Sequence, residues 1–279
     1  MTTGIRFDVS APYEVEASDV VYARPDGMEL LARVYRPKGT PAAPLIGLVD
    51  LHGGAWNRGD RTVGVHAGRG LAAAGMVVAS LDFRQGPAHQ HPAAVADISA
   101  GVRWMRAQAQ HLGVDPARLG IGGQSSGGQL ALYVALQPTD ADDAVSFVLA
   151  QYPVADPLAR YRYALSREHE AGFDAGRFIA SHRAFFADEA AMAEASATRI
   201  VSTGTARALP PVWLGQPEID DNVPADITEA FASAYAKAGG RLERVFFPGA
   251  RHGFMQQPSP DTDKAIASMR EFVGREIAR

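Results

Sequence analysis

The chain has 279 residues, 47% of them hydrophobic and 21% charged, which is enough to bury a large core of the ordinary globular kind. A formal charge of −4, with no Lys/Arg run longer than two, leaves no footprint for nucleic acid or an anionic membrane surface. There is no cysteine, which excludes disulfides, Cys-ligated zinc and a thiol nucleophile. Residues 1–10 are polar and lack the apolar core of a signal peptide, and no apolar stretch reaches spanning length. A cytoplasmic protein without a membrane span is expected, and a homo-oligomer is compatible with this composition.

In chain order, Val15 to Tyr35 alternates apolar and polar residues around Pro25-Asp26-Gly27 and predicts an N-terminal β-hairpin. Six short apolar runs follow, at 45–51, 76–81, 119–122, 145–149, 212–215 and 245–247. Runs of this kind suit strands buried on both faces of a mostly parallel sheet. Helical patterns lie between them, at 64–74, 93–111, 127–137, 227–239 and 261–278. The last places Ile266, Met269, Phe272, Val273 and Ile277 on one face, so it should pack on the sheet. Alternation of strand and helix predicts a doubly wound α/β sheet with right-handed crossovers.

One section breaks the rhythm. Residues 156–205 contain no strand pattern and read as helices inserted between two strands of a single domain covering 1–279. Tyr161, Tyr163, Phe173, Phe178, Phe185 and Phe186 are spread through it. They could line a pocket above the sheet or seat the insertion on the core, and for any single residue the second reading is the safer.

The chemistry concentrates at Gly123-Gln124-Ser125-Ser126-Gly127, which fits G-x-S-x-G between a strand and a helix. Such a turn pushes the serine hydroxyl into the open, and the flanking glycines leave room for it. The opening helix points its unpaired N–H groups at charge developing beside the serine. A pattern this short also suits a phosphate cradle or a plain tight connection, and its context decides for Ser125 as nucleophile. His252, in Arg251-His-Gly-Phe254 after a late strand, is the candidate base, because site residues in α/β sheets sit at strand carboxyl ends.

Three carboxylates, Glu218, Asp220 and Asp221, crowd the loop after the run at 212–215. Asp220 is chosen as the orienting acid, since D-x-x-V-P commonly places it three residues before the valine; Asp221 and Glu218 stay open. Leu51-His-Gly-Gly-Ala-Trp56 closes another strand, and its small residues can turn N–H groups toward a bound carbonyl oxygen. Gly54, Ala55 and Ser126 are the expected oxyanion donors, with His52 bracing the loop.

These motifs resemble the α/β-hydrolase superfamily, in particular the hormone-sensitive-lipase-like carboxylesterases and the kynurenine formamidase group. The residues that carry the resemblance are His52-Gly-Gly-Ala-Trp56, Leu81-Asp-Phe-Arg84, Pro92 to Asp97 with Trp104, Gly123 to Gly128, Pro210-Pro211 and Gly249 to Phe254. The resemblance runs from about Val15 to the C-terminus. Two departures stand out: Gln124-Ser125-Ser126 replaces Asp-Ser-Ala, and H-G-G-x-W, the formamidase form, replaces H-G-G-G. The acid loop also lacks D-x-L-x-D.

The resemblance implies an α/β-hydrolase fold with a helical, cap-like insertion. It implies hydrolysis of a small-molecule carboxylic ester through Ser125, His252 and Asp220, with no metal or organic cofactor. Amide, formamide, lactone or carbamate cleavage is the alternative within the class. A non-catalytic ligand-binding protein would be expected to lack the serine, the histidine or the oxyanion loop, and all three are present. Arg84, Asp97 and Trp104 are read as scaffold.

Overall fold

A computed structural model describes residues 4–278. Eight strands form one sheet in the order β1-β2-β4-β3-β5-β6-β7-β8. They are β1 (Val15–Ala23), β2 (Leu30–Pro37), β3 (Leu45–Leu51), β4 (Met76–Leu81), β5 (Val114–Gln124), β6 (Phe147–Gln151), β7 (Val212–Ile219) and β8 (Leu242–Arg251). β2 runs antiparallel to both neighbours, and the remaining pairs are parallel. The N-terminal hairpin and the mostly parallel sheet therefore match expectation.

Every residue of β3, β4 and β6 is buried. Helices on both faces explain this. α1 (Val65–Ala73) and α10 (Pro260–Ile277) cover one side, where Leu71, Met269, Phe272 and Val273 join Ile46, Leu48 and Trp213. α2 (Ala93–Ala107), the short α3 (Ala109–Leu112), α4 (Ser126–Leu136) and the later α9 (Ala225–Lys237) cover the other. There Ile98, Val102, Leu130, Phe231 and Tyr235 pack on Val49, Val77 and Ile121.

Strand ends depart from the apolar runs in an instructive way. β3 and β4 coincide with theirs. β6 begins two residues late, at Phe147, because pairing with β5 starts at Gly120 opposite Phe147. β7 and β8 continue beyond their apolar runs, pairing as far as Ile219 opposite Arg251. Backbone hydrogen bonds need no apolar side chain, so pairing persists where Glu218 and Ile219 are already exposed. The stretch read as one helix over 93–111 divides at Gln108, which separates α2 from α3.

Between β6 and β7 lie four helices: α5 (Pro157–Ser166), α6 (Ala175–Phe185), α7 (Glu189–Glu194) and α8 (Ala197–Ser202). Each opens on an acidic or hydroxyl N-cap: Asp156, Asp174, Asp188 and Ser196 accept the N–H of Ala159, Arg177, Ala191 and Arg199. Caps of this type are each worth about 1 kcal/mol, enough to fix where such short helices begin. Phe185 and Phe186 are fully buried against Trp56, seating the insertion on the loop after β3.

Candidate active site

The strand order reverses around β3, with β4 on one side and β5 on the other. This is where α/β sheets open a crevice beyond their carboxyl ends. The loop after β3 carries His52 to Trp56, and the turn after β5 carries Ser125.

Ser125 has φ 52° and ψ −115°, a conformation that costs about 1–3 kcal/mol and must be imposed by its surroundings. Several contacts impose it. The Ser125 N–H donates to Gln151 O at 2.9 Å, and its carbonyl accepts from Val154 and Gln129, both at 3.1 Å. The glycines permit it. A Cβ at Gly123 would stand 2.6 Å from Gly127 C, and one at Gly127 would come closer than 3.0 Å to the carbonyl oxygens of Leu51 and His52. The elbow is thus pressed against the loop after β3, backbone to backbone.

The Ser125 Oγ lies 2.9 Å from His252 Nε2, and His252 Nδ1 lies 2.9 Å from Asp220 Oδ2. His252 follows β8, and Tyr152 supports its ring edge-on at 5.0 Å between centroids. The other Asp220 oxygen, Oδ1, accepts the N–H of Asn222 (2.9 Å) and of Val223 (2.7 Å). This accounts for D-x-x-V-P physically: Val223 is buried as an anchor, its N–H fixes the carboxylate, and Pro224 leads into α9. Asp221 is exposed and offers its backbone carbonyl to Tyr163 Oη, and Glu218, within β7, accepts the Gly249 N–H at 2.8 Å. Of the three carboxylates, only Asp220 meets the histidine.

Around the loop after β3, Gly54, Ala55 and Trp56 all have positive φ (130°, 54° and 64°). The Gly54 and Ala55 N–H groups donate no backbone hydrogen bond among the described residues. The Ser126 N–H, first in α4, has no partner within its helix. His52 is buried, stacks on Phe83 at 4.3 Å and holds Gly53 O through Nδ1 at 2.7 Å, so it braces the loop as expected. Burial pushes the His52 imidazole below its ordinary pKa, which keeps it neutral. Trp56 Nε1 donates to Gln129 Oε1 at 2.9 Å, and Gln129 Nε2 donates to Ala195 O at 3.0 Å, tying loop, α4 and insertion together.

A cleft of about 300 Å³ opens over Ser125 and His252, lined among others by Gly54, Ala55, Phe178 and Asn222. Of the insertion's aromatics, Phe178 lines this cleft from the edge of the core, while Phe185 and Phe186 are fully buried within it. Arg84 and Asp97 form an ion pair at 2.8 Å and Trp104 packs beside Tyr22, which makes them scaffold.

Four contributors escaped the sequence reading: Tyr152, Gln129, Asn222 and Arg160. Arg160 is 2% exposed, donates through Nε to Asn222 O at 2.9 Å and through Nη2 to Asn222 Oδ1. Its signal was available, because the buried face of α5 is Pro157, Arg160, Tyr161 and Ala164, the spacing of an apolar stripe with one cation in it. Among the described residues, no group of three His, Cys, Asp or Glu side chains could hold a metal ion, and no helix is long and apolar enough to cross a membrane.

Comparison with known proteins agrees with this architecture. A family model described as the alpha/beta hydrolase fold matches residues 48–256. Ethyl acetate hydrolase of Pseudomonas putida is 30% identical over 93% of this chain and 83% of its own length. The carboxylic ester hydrolase LipN of Mycobacterium tuberculosis is 39% identical over 43% of this chain; the chain spans only 32% of that protein's length. An esterase of Thermogutta terrifontis, solved with bound butyrate, superposes with a TM-score of 0.74 at 28% identity, over 93% of this chain and 94% of its own. The open sheet, the serine elbow after β5 and these matches place the chain in the alpha/beta hydrolase fold family.

Proposed function

We propose that the protein is a carboxylesterase acting on small esters through Ser125, His252 and Asp220. The observation that carries this reading is the relay of two 2.9 Å contacts from Asp220 through His252 to Ser125. That relay ends beside the unpaired Gly54 and Ala55 N–H groups. The ester-hydrolase relatives add support.

In this reading Ser125 Oγ attacks the ester carbonyl carbon and its proton passes to His252 Nε2. Asp220 holds the imidazole in the tautomer that can accept it and stabilises the imidazolium that forms. The oxyanion is received by the N–H groups of Gly54, Ala55 and Ser126, each worth on the order of 10²–10³ in rate in sites of this kind. Collapse breaks the bond to the alcohol oxygen, which takes the proton from His252. Water then attacks the acyl-serine with His252 as base, releasing the acid and restoring Ser125.

The cleft's volume of about 300 Å³ stands at the low end of small-molecule sites, which run to about 1,000 Å³. Short acyl groups are therefore favoured. A panel of p-nitrophenyl esters of increasing chain length, run beside N-formyl and anilide substrates, tests the reading together with labelling by a fluorophosphonate. Acetyl to butyryl esters should be cleaved best, and Ser125→Ala should abolish labelling and lower turnover by at least about 10⁴-fold. Clear amide cleavage with poor activity on every short ester would replace esterase by amidase, and equal labelling of the alanine variant would remove Ser125 from the chemistry.

A further inference from the structure

The cleft carries more positive charge than ester cleavage calls for. Among the described residues, three arginines line it: Arg58 from the turn beyond the oxyanion loop, Arg160 from α5 and Arg177 from the first turn of α6. No Asp or Glu is among its lining residues. Many arginines elsewhere meet a carboxylate, as in Arg33 with Asp19, Arg61 with Asp82, Arg84 with Asp97 and Arg275 with Glu243, and others, such as Arg106 and Arg270, spend their N–H groups on backbone carbonyls. Among the described residues, none of the three cleft arginines has a carboxylate within ion-pair distance.

Arg160 is the most telling of them. It is buried, and its Nη1 has no hydrogen-bond acceptor. Burial pushes the guanidinium down to about 9, so it is still a cation at neutral pH. Asp220, the charge that most favours the cation, is engaged by His252 and by two backbone N–H groups. The Arg160 and Arg177 guanidiniums both lie over the Phe178 ring, at 4.6 and 5.1 Å from its centroid. The ring face attracts each of them, but the two cations repel each other, which further lowers the pKa of Arg160. Holding two like charges together, one of them desolvated, is costly unless an anion joins them.

We propose that the natural ester carries a carboxylate and that Arg160, Arg177 and Arg58 receive it. This rests on the carboxylesterase reading and gives it a substrate class: a small half-ester of a short dicarboxylic acid or an ester of comparable charge. Arginine suits the task because its planar fork meets a carboxylate in two parallel hydrogen bonds. The exposed Arg58 and Arg177 would draw the anion in, and Arg160 would hold it beside the oxyanion loop.

The test separates binding from turnover. Titrating Ser125→Ala by calorimetry with monoethyl succinate and with ethyl butyrate compares an anionic and a neutral ester of similar length. The half-ester should bind about tenfold tighter or more, and the advantage should shrink as salt rises. It should fall several-fold when Arg58→Gln and Arg177→Gln are added, Arg160 keeping the remainder, and return in part with lysine at both positions. Equal affinity for the two esters, or a preference undiminished by loss of both arginines, overturns the proposal. Hydrolysis by the unaltered enzyme is read separately. Selective binding of the half-ester without cleavage of either ester would leave the anion site standing and end the esterase reading.

Discussion

At the scale of single residues, the acid is where geometry adds most to the sequence pattern. Three carboxylates stand within four positions of one another, and composition cannot choose among them. Geometry distinguishes them, since Asp220 alone meets His252 while Asp221 is exposed and Glu218 binds Gly249. Asp220→Asn should therefore lower turnover by on the order of 10³–10⁴, with Asp221→Asn within a few-fold of the parent, in steady-state assays of a short ester. The opposite ranking would move the acid by one residue. The serine, the histidine and the small residues of the oxyanion loop were legible because each is tied to a local pattern at a strand's end. Arg160 was not, because its meaning depends on Asn222 and Phe178, which other segments deliver. Gln124, a departure visible in the sequence, is buried next to Ser125 and accepts the Tyr152 hydroxyl at 2.9 Å, a partner no spacing could have named.

At the scale of elements, the interior strands β3 and β4 were readable to the residue, while the ends of β5 and β6, also interior, and of the edge strand β8 were not. An interior parallel strand is buried on both faces, so hydrophobicity marks its whole length, as in β3 and β4. β8 is an edge strand, and of its last four residues only Ala250 is buried. The helices show how much a glycine's setting matters. Gly127 and Gly176 both lie in the first turn of a helix, α4 and α6. A Cβ at Gly127 would collide with two carbonyl oxygens of the neighbouring loop, backbone that cannot swing aside as a side chain would. At Gly176 the nearest atom is Asp174 Oδ1 at 4.0 Å. Gly127→Ala should destabilise by about 3 kcal/mol or more, or prevent folding. Gly176→Ala should stabilise by about 0.5–1 kcal/mol. Thermal denaturation midpoints of the two variants check this, and a shared sign would contradict it.

For the whole molecule, the sheet brings together residues that the chain keeps far apart, and it buries titratable groups in doing so. Burial holds His52, His91 and His182 below the usual histidine pKa, His182 at about 3. A depressed histidine contributes stability that is present above its unfolded pKa and lost as pH falls. For His182 that window runs from 6.5 down to about 3, at about 1.4 kcal/mol per pH unit. Asp50 acts in the opposite sense. Burial raises its carboxyl to about 6, so its contribution is present at low pH and lost as pH rises through that value. Three histidines against one aspartate give a net loss on the acid side. The denaturation midpoint should therefore fall between pH 6.5 and 4.5, and the fall should be shallower in His182→Leu, whatever that variant's absolute stability. Parallel slopes would assign the acid loss to other groups. The fold class was legible because strand and helix alternate along the chain. The size of the cleft and the charge lining it were not, because they depend on where α5 and α6 come to rest.

The double hydrogen bond from Arg160 to Asn222 joins the segment that shapes the cleft to the loop that carries Asp220. These two parts cannot be inherited independently. Exchanging the insertion with that of a relative would bring a new floor for the substrate and at the same time loosen the seat of Asp220. Recombinants should retain activity only when positions 160 and 222 descend from the same parent. A lineage that diversifies its substrates through this segment is bound to carry the pair along as one heritable unit.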